Sequence, residues 1–343
     1  MLMKKQFFFQ LKSYLLLFLL SLFSASAWAL ATPDYVCFEN TGTENATIAN
    51  TDGNMFLYTI DNGSTWSGLP FFGNNTVTLA AGQKMYVKAK QVQAHVNANS
   101  YYGKNFVITG SGIKVSGNIM TLLNPDATES ATLSSDSQSK YNFRKLFADC
   151  TAITDASGLK LPTNTTRGCY ECMFYGCTNL VSAPLTIGNS ATVLQEGCCF
   201  DMFYGCTNLI NAPELPATTL ASKCYKNMFD GCTSLSNAPE LPATTLVTDC
   251  YYYMFSGCTT LNKITVGFSD WAHTGVNNAT NKWVQNVAST GTFISTNPSL
   301  DLTQTGISRV PTGWDLPNVC FEAVGEASSV KMKRVQDTEL VEP

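Results

Sequence analysis

Ionic side chains are scarce in this 343-residue chain: 13% of residues are charged, and there are two histidines, His95 and His273. The sequence contains no His-Glu-x-x-His, no Gly-x-Ser-x-Gly and no glycine-rich loop opening a helix. Those absences remove the usual zinc-hydrolase, serine-nucleophile and phosphate-cradling arrangements, and each histidine reads as a surface or turn residue. Cys169-Tyr170-Glu171-Cys172 is the single C-x-x-C, and without a second pair it does not complete a four-ligand zinc site. The expectation is a non-enzymatic protein with no catalytic residues, cofactor or metal; an enzyme is the remote alternative. Basic residues are also few, 21 Lys and Arg against 25 Asp and Glu. That balance disfavours nucleic acid, because neutralising phosphates with Lys and Arg supplies most of that affinity.

Long apolar runs are missing as well, apart from Tyr14 to Phe23, which is too short to span a bilayer. Lys4, Lys5 and Lys12 precede that run, and Ala25-Ser26-Ala27-Trp28-Ala29 follows it. This is the layout of a secretory signal peptide over residues 1–29, cut after Ala29. The mature chain is expected to be secreted or held at the cell surface, with no transmembrane segment. Losing the three lysines leaves 18 bases against 25 acids, so the net charge moves from -4 to -7. Cys37 follows Asp34-Tyr35-Val36 and not a small-residue lipobox, which argues against a lipid anchor there.

What the chain has in quantity is repetition. Met-Phe-x-Gly-Cys recurs from Met173, Met202, Met228 and Met254, at spacings of 29, 26 and 26 residues, with a degenerate copy at Leu146 to Cys150. The longer first spacing reflects a three-residue insertion between Leu185 and Cys198. Fixed periods of this length indicate a stacked solenoid, because one unit alone cannot bury its apolar face. Leu220, Cys224 and Met228 stand at i, i+4 and i+8, the stripe of one helical face. Thr218-Thr219 would cap that helix, and Gly176, Gly205, Gly231 and Gly257 would end it and its equivalents. Each unit is thus expected to be a helix plus a short strand. Pro184, Pro213 and Pro239 form one column on the return segment, so any parallel ladder there must be short or interrupted.

Nine of the 13 cysteines fall into two columns, Cys150, Cys177, Cys206, Cys232 and Cys258, and Cys169, Cys198, Cys224 and Cys250. Export favours disulfides. Helical geometry opposes them, since the two columns would lie about 12 Å apart along one helix and about 8–10 Å apart between helices. Both exceed the reach of about 7 Å that a disulfide spans. Buried free thiols acting as small apolar side chains are therefore expected. Cys172 and Cys199 lie off the columns in adjacent units, and whether they pair is open.

Residues 33–135 read as an antiparallel β domain of sandwich-like form. Val77 and Leu79, Met85, Val87 and Ala89, Phe106 and Ile108, and Ile113 and Val115 alternate with outward-facing residues between Gly and Asn turns. Within it, Asp61-Asn62-Gly63-Ser64-Thr65-Trp66 resembles an Asp-box hairpin, in which the aspartate bonds turn amides and Trp packs beneath. Residues 136–268 hold the repeats. Residues 269–315 read as a closing cap, with Trp283 and Val287 on one face before Gly291 and a last strand at Thr292-Phe293-Ile294. Val319-Cys320-Phe321-Glu322 with Gly325 repeats Val36-Cys37-Phe38-Glu39 with Gly42. The tail, residues 316–343, is therefore expected to start a second copy of the β domain, with the residues after Val330 lacking partner strands.

The stretch Cys224-Tyr225-x-x-Met228-Phe229-x-Gly231-Cys232-Thr233-x-Leu235-x-x-Ala238-Pro239-x-Leu241-Pro242-Ala243-Thr244-Thr245-Leu246 resembles the BspA-like leucine-rich repeats of surface and secreted proteins of Bacteroides-type bacteria. The resemblance implies a curved, non-enzymatic surface protein, some of whose relatives adhere to host or bacterial partners. It carries over no catalytic residue. The expected class is α+β: an N-terminal β-sandwich-like domain, a short leucine-rich-repeat solenoid and a C-terminal cap. The expected function is adhesion or protein binding through residues that vary between copies or project from them. These are Ser182, Asn211, Asn237 and Lys263 before the Ala-Pro step, Glu214 and Glu240 after it, and Tyr251, Tyr252 and Tyr253. The partner would be a host or bacterial surface protein or glycan. Two alternatives stand beside this: the same residues merely solubilise the stack, or the β domain binds carbohydrate through Trp66.

Overall fold

The computed structural model describes residues 34–51, 55–70, 75–93, 106–134, 140–271, 278–317, 320–324 and 331–335. The expected signal peptide, both histidines and residues 336–343 lie outside the described residues. Period-two alternation builds the first domain as expected. Its strands are Val36–Asn40 (β1), Ala46–Asn50 (β2), Phe56–Thr59 (β3), Ser67–Gly68 (β4), Val77–Leu79 (β5), Lys84–Ala89 (β6), Phe106–Thr109 (β7) and Ile113–Asn118 (β8). Met85, Val87 and Ala89 of β6 are buried, as are Val77 and Leu79 of β5. A sheet of order β5-β2-β7 packs on a larger one through Phe106, whose ring lies 5.1 Å from Phe38 and 5.4 Å from Phe56. The larger sheet runs β4-β3-β6-β1-β8 and then takes up Ile153–Lys160 (β9), parallel to β8. The first return strand of the repeats is thus the edge strand of the β domain, and the two share one continuous core.

The repeats themselves are not helical. Among the described residues the only helical element is a 3-10 turn at Ile119–Leu122, which overturns the α+β class and its helix-plus-strand units. A ribbon of linked turns replaces each expected helix. Along 168–177, Glu171 N donates to Gly168 O at 3.1 Å, Met173 N to Tyr170 O at 3.0 Å and Tyr175 N to Cys172 O at 3.1 Å. The intervening amides cross to the next rung: Tyr170 N to Cys198 O at 2.8 Å, Cys172 N to Phe200 O at 2.9 Å and Phe174 N to Met202 O at 2.9 Å. An α-helix needs each amide for its own i−4 carbonyl, whereas here alternate amides join neighbouring rungs. The turns require a left-handed residue at every fourth position, as at Gly168, Cys172 and Gly176 with φ of 60°, 54° and 68°. The same positions are Gly197, Asp201 and Gly205, then Lys223, Asn227 and Gly231, then Asp249, Tyr253 and Gly257. Glycine, Asn and Asp adopt this conformation most readily. A four-residue turn period also puts i, i+4 and i+8 on one face, which is why Leu220, Cys224 and Met228 mimic a helix. The glycines are left-handed, as expected, but as members of the ribbon. Thr219 caps nothing; its carbonyl accepts from Leu194 N at 3.1 Å.

Rungs joined by backbone hydrogen bonds lie about 4.8 Å apart, so the spacing argument against disulfides falls with the helices. The twelve cysteines from Cys37 to Cys258 are nonetheless buried and unbridged, Cys172 and Cys199 included. In the column that holds Cys177, Cys206, Cys232 and Cys258 each of these thiols donates to a phenylalanine carbonyl of the preceding rung: Cys177 to Phe147 at 3.0 Å, Cys206 to Phe174 at 3.1 Å, Cys232 to Phe203 at 3.2 Å and Cys258 to Phe229 at 3.1 Å. Beside them runs an aromatic spine, Phe106, Phe147, Phe174, Phe203, Phe229, Phe255 and Trp283, with successive centroids 5.7, 5.3, 5.4, 5.6, 5.7 and 6.2 Å apart. Face-to-face and tilted ring pairs at such separations add to the burial energy of each rung.

The cap continues the stack. Phe255 N donates to Trp283 O at 2.8 Å, and Lys282 and Asn286 take the left-handed positions with φ of 52° and 60°. Lys263–Val266 (β10) pairs in parallel with Thr292–Ser295 (β11), supplying the strand expected there. In the tail, Cys320–Val324 (β12) pairs antiparallel with Lys331–Val335 (β13). The expectation that residues after Val330 lack a partner strand is therefore overturned for 331–335. β1 pairs with β6 and β8 and not with β2, so this hairpin does not reproduce the pairing of the first domain. No helix among the described residues is long and apolar enough to cross a membrane.

Candidate functional site

The return segments stack through single parallel bridges: Asp155 with Ser182, Ser182 with Asn211, and Asn237 with Lys263. One step of that series, Asn211 with Asn237, does not form. Ala183 N donates to Asn211 O at 3.0 Å, Asn211 N to Val181 O at 3.1 Å and Ala238 N to Lys263 O at 3.0 Å. Among the described residues no backbone hydrogen bond joins 210–216 to 236–242.

Proline content explains the gap. Ala212-Pro213-Glu214-Leu215-Pro216 aligns with Ala238-Pro239-Glu240-Leu241-Pro242, so this interface alone sets two prolines against two. Proline has no amide to donate, and its ring needs room where strands approach. On the preceding rung Ile187 stands where Pro216 does, and its amide donates to Glu214 O at 3.0 Å. On the following rung Thr265 stands where Pro239 does, and its carbonyl accepts from Leu241 N at 3.1 Å. The turn ribbons of the two rungs stay joined, with Phe203 N to Met228 O at 3.0 Å. The rungs are therefore closed on one side and open on the other.

The opening is a groove of about 680 Å³ lined by Ile210, Asn211, Glu214, Asn237, Glu240 and the four prolines. Its size falls within the range of ligand-binding clefts, roughly 300–1,000 Å³. Ile210 is 53% exposed there, an apolar side chain left in water. Glu214 and Glu240 are exposed, and no ion pair involves either among the described residues. Glu214 accepts at 3.5 Å from the Thr186 hydroxyl.

Four of the nine residues singled out from sequence, Asn211, Asn237, Glu214 and Glu240, come together in this groove. Ser182 sits one rung before it, its hydroxyl accepting from Asn211 Nδ2 at 3.0 Å, and Lys263 one rung after. Tyr251 is core, 1% exposed and stacked on Tyr225 at 6.1 Å, so its role as a contact anchor is overturned. Tyr252 and Tyr253 are half-buried on the turn ribbon, with the Lys226 ammonium 4.4 Å from one ring centroid and Lys282 5.4 Å from the other. Neither reaches the groove. Sequence reasoning missed Ile210 and the prolines as groove walls; the signal was the doubled Pro-x-x-Pro at successive rungs.

Elsewhere the polar features are structural. Asp61 Oδ1 accepts from Thr65 N at 2.9 Å, and Gly63 has φ of 91°, as an Asp-box turn requires. Bonds from Thr59 and Thr65 hold the Asp61 carboxyl down to about 2. Trp66 packs edge-on against Tyr35 at 5.1 Å, with the Lys88 ammonium 4.1 Å from its centroid, so one ring face is already occupied. The Cys172 thiol, 4.0 Å from Asp201 Oδ2, is pushed up to about 12 by burial and the neighbouring carboxylates, which makes it a poor nucleophile. Among the described residues no group of His, Cys, Asp and Glu is placed to hold a metal ion. No family model matches this chain, and neither the curated proteins nor the solved structures contain a significant relative.

Proposed function

We propose that the chain is an exported, non-catalytic repeat protein that binds a protein partner through the groove between 210–216 and 236–242. The observation that carries this reading is the single interrupted step in an otherwise continuous stack, where Ile210 and two carboxylates with no ion pair among the described residues line an open cleft. A cleft of ligand-binding size on which a few polar and apolar groups converge is the usual form of an interaction site. The resemblance of the repeats to BspA-like surface proteins supports adhesion as the biological setting. Beads coated with the mature chain, residues 30–343, are to be tested on mucus, serum proteins and neighbouring bacteria. Binding that Ile210→Arg abolishes, and that protease treatment of the target surface removes, is expected. Binding indifferent to Ile210→Arg, or no binding at micromolar concentrations, overturns the proposal. Binding that survives protease and is lost to periodate also overturns it, in favour of a glycan.

A further inference from the structure

We infer, resting on the groove as the binding site, that its occupant is an extended, lysine- or arginine-bearing peptide segment that adds to the open ladder as a strand. The ladder shows which groups await it. Asn211 turns its N–H to Val181 and its C=O to Ala183, whereas the equivalent N–H and C=O of Asn237 have no hydrogen-bond partner among the described residues. The Ala212 N–H, whose equivalents Ala183 and Ala238 donate to the next rung, is likewise without one. Backbone groups left unpaired beside an apolar wall are a template for strand addition, in which main-chain bonds supply affinity and side-chain pockets supply specificity. Pro213, Pro216, Pro239 and Pro242 keep the two rungs from closing on each other, so the template stays open in the free protein.

Charge selects among extended peptides. Glu214 and Glu240 both line the groove, and no Lys or Arg lines it with them. The chain as a whole is acidic, with 25 acids against 21 bases. A cationic segment is steered toward such a site and an acidic one is repelled. Ile210 gives an apolar contact between the charges, so alternating basic and β-branched residues fit both features.

The test uses the mature chain and fluorescent pentapeptides of alternating lysine and valine, read by fluorescence anisotropy at low salt. Binding is expected to weaken by about tenfold or more in Glu214→Gln/Glu240→Gln, a surface change whose fold is checked by circular dichroism. It is expected to weaken comparably when alternate amides of the peptide are N-methylated, which removes the main-chain donors and leaves the charge. Failure of the lysine peptide to bind overturns the inference. So does equal binding of an alternating glutamate-valine peptide, or indifference to N-methylation. Should Ile210→Arg still abolish attachment of coated beads while these peptides fail, the groove remains the binding site and only this occupant is excluded.

Discussion

Cys206 donates its thiol hydrogen to the carbonyl of Phe174 in the preceding rung, at 3.1 Å. The same carbonyl accepts the Cys177 amide at 3.1 Å, so the thiol is a second donor to a buried acceptor. Cysteine at this column is thus a small apolar side chain that also closes a hydrogen bond between rungs. Cys206→Ala keeps most of the volume and removes the bond, and a loss of about 1–2 kcal/mol in urea unfolding is expected. Burial pushes this thiol well above its ordinary range. Native protein should accordingly resist thiol reagents at the twelve cysteines from Cys37 to Cys258, whereas protein unfolded without reductant should react at all of these. Mostly blocked thiols after unfolding would show that they pair.

Gly231 sits at φ 77° with its would-be Cβ 3.7 Å from the Gly205 Cα, an ordinary contact. Space is therefore not the obstacle to a side chain there; backbone conformation is. Gly231→Ala should destabilise by about 1–2 kcal/mol, the penalty of a left-handed alanine, whereas Gly231→Asn should lose clearly less. Thermal melts of the two variants check this. Were the segment helical, alanine would instead stabilise.

Phe143, Tyr170, Tyr225 and Tyr251 occupy one aromatic column that Cys199 interrupts, and the hydroxyls of Tyr170 and Tyr225 are buried without a partner among the described residues. Tyr225 and Tyr251, which are adjacent, stack at 6.1 Å. Cys199→Tyr restores a ring between Tyr170 and Tyr225 and should stabilise by about 0.5–1.5 kcal/mol. A drop in melting temperature would mean that the neighbouring rungs have already closed over the smaller side chain.

Asp201 is pushed up to about 6, chiefly by burial and despite the bond from Asn227 Nδ2 at 3.0 Å. A carboxyl raised above its unfolded value of about 4 contributes stability below that value and loses it as pH rises through the folded one. Asp201→Asn retains an acceptor for Asn227 and carries no charge to bury. The variant should match wild type near pH 4 and exceed it above pH 6, by about 1–2 kcal/mol after discounting for partial exposure. Equal stability of the two proteins at pH 8 would contradict the assignment.

Period and packing were legible in the residues themselves. The recurrence of Met228, Phe229 and Cys232 in register fixed the stacking and the inward face, because a column buried between rungs is filled by apolar side chains. Alternation in β5, β6, β7 and β8 fixed the buried side of those strands, because successive residues point to opposite faces of a sheet. The proline column also indicated a short or interrupted ladder, but not the step: the ladder holds between Ser182 and Asn211 and fails between Asn211 and Asn237. Tertiary structure alone decided between helix and turn ribbon. Leu220, Cys224 and Met228 satisfy either period, and the choice depends on whether the amides between them bond along the chain or to the next rung. Asp201, Asn227 and the paired glycines hinted at left-handed positions, but the rung that accepts the amides exists only after stacking. The groove was decided the same way. Asn211 and Asn237 are equivalent letters of one repeat, and they part because the prolines beside them meet only when the two rungs are brought together.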